Sequence, residues 1–343
     1  MNRSGGRQAD LIVQTKASDR LTSDAASRAA DALIEVRLAA VTDAVRDIKL
    51  YEFRRPDDAK LPPAEPGAHI DLHLPNAMVR QYSLCVSEPE ARRYVVGIKR
   101  DANSRGGSAY IHDHLHVDTQ IRIARPRNNF PLAEDTAPSI LIAGGIGITP
   151  IRCMVQRLAD RGRPWRLIYA CRSREDAAFH AELEALGHTR FHFDDENSGV
   201  PLDLVSALAG APGDAHLYCC GPAPMLRAFE AVTAGHERER VHVEYFTAKH
   251  EPALAGGFAV ALARSGVEFV IPPGQSILSV LLDAGIYVDH SCELGICGLC
   301  QTTVLEGIPE HRDAFLTEEQ QAANNTAMIC CAGCKTDRLV LDL

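Results

Sequence analysis

The order of apolar and polar residues changes character twice along the chain. After a polar, weakly periodic segment at residues 1–30, short strand-like stretches occur at 34–40, 48–53, 67–74, 94–99 and 120–124, with one helical stretch ending near residue 115. Prolines and glycines separate them. Short, punctuated strands with a single helix are typical of a small antiparallel barrel. The pattern predicts a flexible tail followed by a β-barrel.

One of these strands, residues 67–74, alternates strictly between apolar and polar side chains. Its polar face carries His69, Asp71 and His73, which are residue types that can bind a metal. Antiparallel strands commonly have one solvated face. We therefore expect a solvated or rim-facing strand surface here rather than a metal site.

The middle of the chain has a different period. A continuous apolar stretch at 139–143 is followed by strand patterns at 166–171, 216–219 and 241–245, with helical patterns at 177–186, 202–208 and 224–234 between them. Alternation of strand and helix predicts a parallel sheet, whose ligands bind at the carboxyl ends of the strands. This segment is predicted to be an α/β domain.

The last segment is a small mixed unit. A stretch rich in Ala, Pro and Gly precedes a predicted strand pair at 258–262 and 268–271, a helix capped by Ser276, and a final strand at 339–343. The predicted division is a tail at 1–30, a barrel at 31–133, an α/β domain at 134–247, a linker at 248–257 and an α+β, β-grasp-like domain at 258–343.

Cysteine spacing gives the last segment its chemistry. Cys292, Cys297 and Cys300 form a C-x4-C-x2-C pattern, which together with a distant fourth cysteine is the plant-type signature for a [2Fe-2S] cluster. Spacing alone leaves Cys330, Cys331 and Cys334 open as the fourth ligand. A zinc site built from the pairs Cys297/Cys300 and Cys331/Cys334 is the competing interpretation, but it leaves Cys292 unexplained.

A glycine-rich turn marks the first strand end of the α/β segment. The sequence after residue 143 is Gly144-Gly145-Ile-Gly147-Ile-Thr149-Pro150, with Thr149 as the expected helix cap and Pro150 as the first helical residue. A strand, a glycine turn and a helix start can hold a pyrophosphate on free N–H groups. A purely packing role for the glycines is the alternative.

Two other strand ends in this segment carry candidate nucleotide contacts. Cys219, Gly221 and Pro222 would place a thiol and a bend beside a nicotinamide ring, although Cys219 is equally compatible with a packed core thiol. Arg172 and Ser173 follow the second strand, where a cation suits a 2′-phosphate and a nearby acid suits a ribose hydroxyl. The sequence leaves NADH and NADPH open.

The barrel segment contains groups that suit a planar cofactor with a phosphate tail. Arg80 and Tyr82 offer a cation and a ring surface, with Gln81 and Ser83 beside them, and Gly106, Gly107 and Ser108 open the predicted helix. Each of these features is weak when taken alone.

Composition and charge restrict the setting. The formal net charge of −9 argues against nucleic acid as a partner and favours docking onto a protein with basic patches. No secretory signal and no run of about 18 apolar residues is present. We therefore interpret the eleven cysteines as reduced thiols and metal ligands of a cytoplasmic protein.

Taken together and in order, these motifs resemble the phthalate dioxygenase reductase family, which includes the vanillate demethylase reductases. The resemblance extends from about residue 30 to the end of the chain, and its matching stretches lie at 80–84, 106–108, 144–150, 219–222, 244–246, 292–300 and 340–343. One departure is the pair Ala332 and Gly333, where the family pattern has Ser-Arg or a similar pair.

The resemblance implies an iron–sulfur flavoprotein with a flavin barrel, a nicotinamide domain and a ferredoxin domain. It implies FMN rather than FAD, with Arg80, Tyr82 and Ser83 contacting the flavin, Lys99 and Ser108 near its phosphate, and Phe246 over the ring. It also implies Cys330 as the fourth cluster ligand. Ser83, Cys219 and Phe246 are the residues expected closest to the reacting rings.

The implied function is that of the reductase component of a Rieske-type aromatic-ring oxygenase or O-demethylase. Electrons would pass from NADH or NADPH through FMN and the [2Fe-2S] cluster to the oxygenase component. Two alternatives are an FAD-dependent reductase of another soluble monooxygenase and a zinc-binding redox sensor. The identity of the oxygenase and of its aromatic substrate is not encoded in this chain.

Overall fold

The computed structural model describes residues 33–87, 91–101 and 106–343, so the tail predicted at 1–30 lies outside the described residues. Its first unit is a six-stranded antiparallel sheet in the order β4-β3-β6-β1-β2-β5. A bridge between Leu84 and Val96 joins the two edge strands and closes the sheet into the predicted barrel. The elements are β1 (Ile34–Val45), β2 (Ile48–Arg54), β3 (His69–His73), β4 (Val79–Ser83), β5 (Tyr94–Lys99), α1 (Gly107–His114) and β6 (Gln120–Ile123).

The polar face of β3 is not solvated as we expected. His69 and Asp71 are each only 2 % exposed. The segment after β6 covers this face, because His69 and Arg127 exchange backbone hydrogen bonds and Arg127 pairs with the Asp71 carboxylate at 2.8 Å. The prediction of a solvated strand face was therefore wrong, since a segment more than fifty residues away supplies the cover.

The second unit is a five-stranded parallel sheet in the order β11-β10-β7-β8-β9. The order reverses between β7 and β10, and in open α/β sheets ligands bind at such a switch point. Strand β9 was not predicted, because Arg190 and His192 interrupt its apolar pattern. The elements are β7 (Ser139–Gly144), α2 (Ile148–Asp160), β8 (Trp165–Cys171), α3 (His180–Ala185), β9 (Thr189–Phe193), α4 (Leu204–Leu208), β10 (His216–Cys220), α5 (Ala223–Thr233) and β11 (Val241–Glu244).

The third unit packs one helix and the cysteine loop against a mixed sheet in the order β13-β12-β18-β14-β16. Ser276 caps the helix as predicted, because its side chain accepts a hydrogen bond from the Ser279 N–H. The elements are β12 (Phe258–Leu262), β13 (Glu268–Ile271), α6 (Ile277–Asp283), β14 (Gln301–Glu306), β15 (Pro309–Glu310), α7 (Glu318–Ala323), β16 (Thr326–Met328), β17 (Gly333–Cys334) and β18 (Arg338–Leu341).

The architecture agrees with the predicted fold class of a barrel, a parallel α/β unit and a small α+β unit. Each unit has its own apolar core, and the parallel sheet has one on each face. Among the residues that the structure describes, no helix is both long and apolar enough to cross a membrane.

Candidate functional site

One cleft of about 1570 Å³ is lined by residues from all three units. The barrel contributes β4 and the ends of β5 and α1, the parallel sheet contributes the ends of β8 and β11, and the third unit contributes the cysteine loop. The sites that the sequence predicts separately are therefore brought together in one space.

The barrel side of the cleft contains most of the predicted flavin residues. Those lining it are Arg80, Gln81, Tyr82, Ser83, Lys99, Gly107 and Ser108. Gly106 is the residue before α1 and has a φ of 86°. The stem of Arg80 lies across Gly107, since a Cβ there would come within 2.4 Å of Arg80 Nε. The bare glycine lets the Arg80 side chain lie against the start of α1.

The glycine turn brings two strand ends into direct contact. Gly147 has no room for a side chain, because a Cβ would lie 2.1 Å from the Cys220 carbonyl oxygen, and a Cβ on Gly144 would lie 2.6 Å from Pro222 Cδ. Gly145, with a φ of 53°, has open space around its Cα instead. Gly144 and Gly147 therefore allow the ends of β7 and β10 to approach each other at the switch point. Gly145 remains accessible.

The helix after this turn starts earlier than expected. Helix α2 begins at Ile148 with Gly147 as its N-cap, so Thr149 and Pro150 are its second and third residues. The Thr149 hydroxyl donates a hydrogen bond to the Ile146 carbonyl at 3.0 Å instead of capping the helix. Thr149 still lines the cleft, but its predicted capping role is wrong.

The structure corrects the prediction for Cys219. Adjacent residues of a strand point to opposite faces of the sheet, and Cys219 packs into the core that contains Ile142 and Phe229. The Cys220 sulfur lies on the other side, 3.8 Å from Glu244 Oε2. The Cys220 thiol, and not that of Cys219, is therefore the one that contacts Glu244, a residue that lines the cleft.

Glu244 is a residue that the sequence analysis did not assign to the site. It lies at the end of β11, where Ser83 Oγ is 3.4 Å and the Cys220 sulfur 3.8 Å from Oε2. Burial raises the pKa of Glu244 to about 8, so the carboxyl is uncharged at neutral pH. The only sequence signal for this role was its place in the 244–246 stretch, beside Phe246, which also lines the cleft.

The outer end of the cleft carries mixed charge. Arg172 and Ser173 line it together with Asp176 and Asp195. The Ser173 hydroxyl donates to Asp176 at 3.2 Å. Arg174, the second arginine of this stretch, is held by Glu196 at 3.1 Å. Arg172 is thus the cation of this stretch that lies in the cleft.

The four predicted cluster cysteines are buried, and their sulfurs meet in two pairs. The Cys297 thiol donates a hydrogen bond to the Cys292 sulfur, and the Cys300 thiol donates to the Cys330 sulfur. The hydrogen bond from the Cys297 thiol and those from the backbone N–H groups of Leu294 and Ile296 lower the pKa of Cys292, whereas donating to a neighbouring sulfur raises the pKa of Cys297 and of Cys300. Cys330 also hydrogen-bonds Cys331, which raises the pKa of Cys330, so the four predicted ligands form two pairs and Cys331 lies beside the second pair.

The zinc interpretation fits these residues poorly. The Cys334 thiol is directed away from the other cysteines, toward the Thr336 carbonyl oxygen at 2.7 Å. Cys331 is buried, and its thiol donates to the Met328 carbonyl at 3.6 Å. Within the described parts of the chain, no three metal-binding side chains are arranged around a single ion. The pairs Cys297/Cys300 and Cys331/Cys334 therefore do not form a four-cysteine zinc site.

The cysteine loop is attached to the barrel and packed within its own unit. Asn129, from the barrel segment, donates a side-chain hydrogen bond to the Cys297 carbonyl at 3.1 Å. Gly298, with a φ of 82°, lies against Phe315, because a Cβ there would be 2.3 Å from the ring. The sequence analysis did not identify Asn129 as a contact of the cysteine loop, because no local pattern connects it to a residue 168 positions later.

Family models match two of the three units. An oxidoreductase NAD-binding domain matches residues 141–231, and a 2Fe-2S iron–sulfur cluster binding domain matches residues 260–335. These matches coincide with the parallel sheet and with the unit that carries the cysteine loop.

Similar proteins cover nearly the whole chain. Phenoxybenzoate dioxygenase subunit beta of Ectopseudomonas oleovorans is 48 % identical over 90 % of this chain and 97 % of its own length. Vanillate O-demethylase oxidoreductase of Pseudomonas putida is 42 % identical over 91 % of this chain and 100 % of its own.

A solved structure of phthalate dioxygenase reductase, described as modular and built for electron transfer from pyridine nucleotides to [2Fe-2S], has the same architecture. It superposes with a TM-score of 0.72 and 37 % identity, covering 92 % of this chain and 99 % of that protein.

We predict that Gly298→Ala removes most of the bound iron. The new methyl group would overlap the Phe315 ring, so the loop that presents Cys297 and Cys300 must shift. Iron and acid-labile sulfide per chain are the quantities to measure. Gly266→Ala is the matched control, because Gly266 also has a positive φ, 70°, but no atom lies within 4 Å of its added Cβ. Full iron loading in Gly298→Ala would show that contact with Phe315 does not fix the loop.

Proposed function

The chain belongs to the phthalate dioxygenase reductase family, and we propose that it is the reductase component of a Rieske-type aromatic-ring oxygenase or O-demethylase system. It is an NAD(P)H-dependent oxidoreductase with a flavin, FMN, and a [2Fe-2S] cluster. When bound, FMN accepts the two electrons of a hydride together and releases them singly to a one-electron acceptor. The oxygenase component is the protein that receives them.

The observation that carries this proposal is the shared cleft. Ser83 of the barrel, Phe246 after the parallel sheet and Cys292 of the cysteine loop all line it. No separate domain has to be crossed between a ring held on β4 and the sulfur of Cys292. Alignment of the donors and acceptors is therefore the main task of the protein, because hydride delivery to a flavin requires no general acid or base.

We assign the flavin site to the barrel wall of the cleft. Tyr82 and Ser83, with Gln81, present ring and polar contacts along β4, and Phe246 faces them from the parallel sheet. Arg80 and Lys99 supply positive charge near the start of α1, where the N–H groups of Gly107 and Ser108 suit a phosphate. Gly106 gives the chain the turn that opens this helix.

We assign the nicotinamide nucleotide to the switch point of the parallel sheet. The start of α2 favours a pyrophosphate through its free N–H groups. The residues around it are Gly144, Gly145, Gly147, Thr149, Gly221 and Pro222. Cys220 takes the place that the sequence assigned to Cys219. Arg172 and Ser173 are placed for the outer ribose, beside the acids Asp176 and Asp195.

The cluster ligands in this proposal are Cys292, Cys297, Cys300 and Cys330, two for each iron. We propose as domain limits a barrel at 31–133, a nicotinamide domain at 134–247 and a ferredoxin domain at 258–343, and the separation of the three sheets supports this division. The linker at 248–257 lies on the ferredoxin domain, since Ala253 N–H donates to the Cys331 carbonyl at 2.9 Å. Because the eleven cysteines of the described residues form no disulfide, we propose the reducing cytoplasm as the place of action.

The Cys297→Ser variant tests the order of electron transfer. We expect it to lose the cluster and all reduction of the partner protein, while NAD(P)H oxidation by an artificial two-electron acceptor stays near the wild-type rate. Cys334→Ser is the control, because that half-exposed thiol does not contact the cluster cysteines. Loss of artificial-acceptor activity in folded, FMN-loaded Cys297→Ser would contradict a linear route through the flavin.

Chemical analysis of the purified protein separates the competing functions. Two irons, two labile sulfides and one FMN per chain, with visible bleaching on addition of NADH under argon, are the expected result. One zinc and no visible colour would support the redox-sensor interpretation. FAD in the released flavin would support the reductase of another type of monooxygenase.

The protonation of Glu244 predicts a pH dependence. Because burial raises its pKa to about 8, the carboxyl ionises as the pH rises through that value. A negative charge would then oppose the arrival of electrons beside Ser83. We expect kcat for NADH oxidation with an artificial acceptor to fall above about pH 8 and the fall to be absent in Glu244→Gln. An unchanged profile in that variant would exclude Glu244 as its cause.

A further inference from the structure

Arg152 joins the second unit to the barrel. It lies on α2 with its side chain only 18 % exposed. Its Nη1 donates a hydrogen bond to the Cys85 carbonyl oxygen of the barrel at 2.6 Å. Its Nε and Nη2 donate to Glu182 Oε2 at 3.1 and 3.0 Å, and its guanidinium carbon lies 4.8 Å from the centre of the Phe179 ring. A single guanidinium thus connects the barrel backbone to α3.

The barrel end of this connection is next to the flavin wall. Cys85 comes two residues after Ser83, and its own N–H donates to the Val95 carbonyl at 2.8 Å. Leu84, between them, forms the bridge to Val96 that closes the barrel. A shift of the Cys85 carbonyl would therefore also shift the adjacent end of β4, where Ser83 lies.

The other end of the connection is next to the nicotinamide site. Thr149 lies one helical turn before Arg152 on α2 and touches the barrel, since a Cβ added to Gly97 would lie 2.8 Å from Thr149 Cγ2. Farther along the same helix, Arg157 pairs with Glu65 of the barrel at 3.1 Å and with Glu134 at 2.7 Å. Helix α2 is thus held against the barrel from its first turn to its third.

We propose that Arg152 is a positioning residue for hydride transfer, which fixes the flavin wall of the barrel at reacting distance from the nucleotide site at the start of α2. The inference rests on the proposed function. Arg152 does not line the cleft and acts through its hydrogen bond to the Cys85 carbonyl, which holds α2, the helix that also carries Thr149, against the barrel. Glu182 and Phe179 orient the guanidinium so that Nη1 remains available to donate to the Cys85 carbonyl.

The chemistry of the side chain explains why arginine is needed. A guanidinium offers several donors in a fixed plane and can serve a carboxylate and a carbonyl at once, whereas a lysine ammonium is a flexible point charge. Lysine at this position would keep the charge and pair with Glu182 but hold Cys85 less firmly. Methionine would keep much of the apolar stem and lose every hydrogen bond.

The test compares Arg152→Met, Arg152→Lys and the control Arg190→Met in the FMN-loaded full chain. Arg190 is an exposed arginine of β9 in the same unit. We expect Arg152→Met to lower kcat for NADH oxidation by an artificial acceptor about tenfold or more, since small misplacements of reactants carry penalties of that order. The KM for NADH should stay within about twofold, because the nucleotide contacts on α2 are retained. The lysine variant should be intermediate and the control unchanged.

A second readout reports geometry without turnover. Trp165 is the only tryptophan of the chain and lies in the parallel sheet, so energy transfer from it to FMN in the barrel depends on how the two units are placed. We expect a broader distribution of Trp165 fluorescence lifetimes in Arg152→Met and a smaller broadening in Arg152→Lys. If Arg152→Met does not retain FMN, kcat and the Trp165 lifetime distribution are both measured on Arg152→Lys instead.

The outcomes separate this inference from the function on which it rests. Wild-type kcat, or lowered kcat with an unchanged lifetime distribution, would overturn the positioning role of Arg152. Failure of NADH to bleach the flavin in the wild-type protein would overturn the proposed function, whereas the lifetime measurement would still decide whether Arg152 holds the two units together.

Discussion

The barrel and the parallel sheet meet so closely that Gly97 of the barrel has no room for a side chain, because an added Cβ would lie 2.8 Å from Thr149 Cγ2 on α2. Within the second unit, Gly147 at the start of α2 packs equally closely against the Cys220 carbonyl. Contact at van der Waals distance between two separately folded sheets sets where a ring on β4 stands relative to a nucleotide at the switch point. The rest of the site depends on this contact, because the reacting gap between two stacked rings is only about 3 to 3.5 Å.

The third unit extends the same principle to the cluster. Its loop is tied to the barrel by the Asn129 side chain and is fixed internally where Gly298 meets Phe315. Cys292 therefore lies in the wall of the cleft, beside the place where the flavin is expected. All three units line one cleft, which fits electron transfer from a pyridine nucleotide to the cluster.

Charge in the cleft is arranged to suit this path. Arg80, Lys99 and Arg172 are the residues proposed for the phosphate ends of the cofactors, whereas Glu244, which also lines the cleft, is neutral at pH 7 because burial disfavours its charged form. The three arginine and lysine side chains thus lie near the proposed phosphate positions. The uncharged carboxyl lies near the proposed flavin site. The arginines of α2 serve a different purpose, since Arg152 and Arg157 are used in holding the units together.

The sequence by itself determined the features whose physics is local. Three cysteines within nine residues specify a metal loop, Ser276 specifies a helix start, and the change of period from alternating strands to strand and helix specifies a barrel followed by a parallel sheet. Only the tertiary structure decided that Cys220 rather than Cys219 is directed toward Glu244, that His69 and Asp71 are covered, and that Asn129 and Arg152 bridge units. The reason is that the direction of a strand side chain relative to a ligand, and the cover over a polar face, depend on segments tens to hundreds of residues away. A local sequence pattern does not specify which distant segment packs against it.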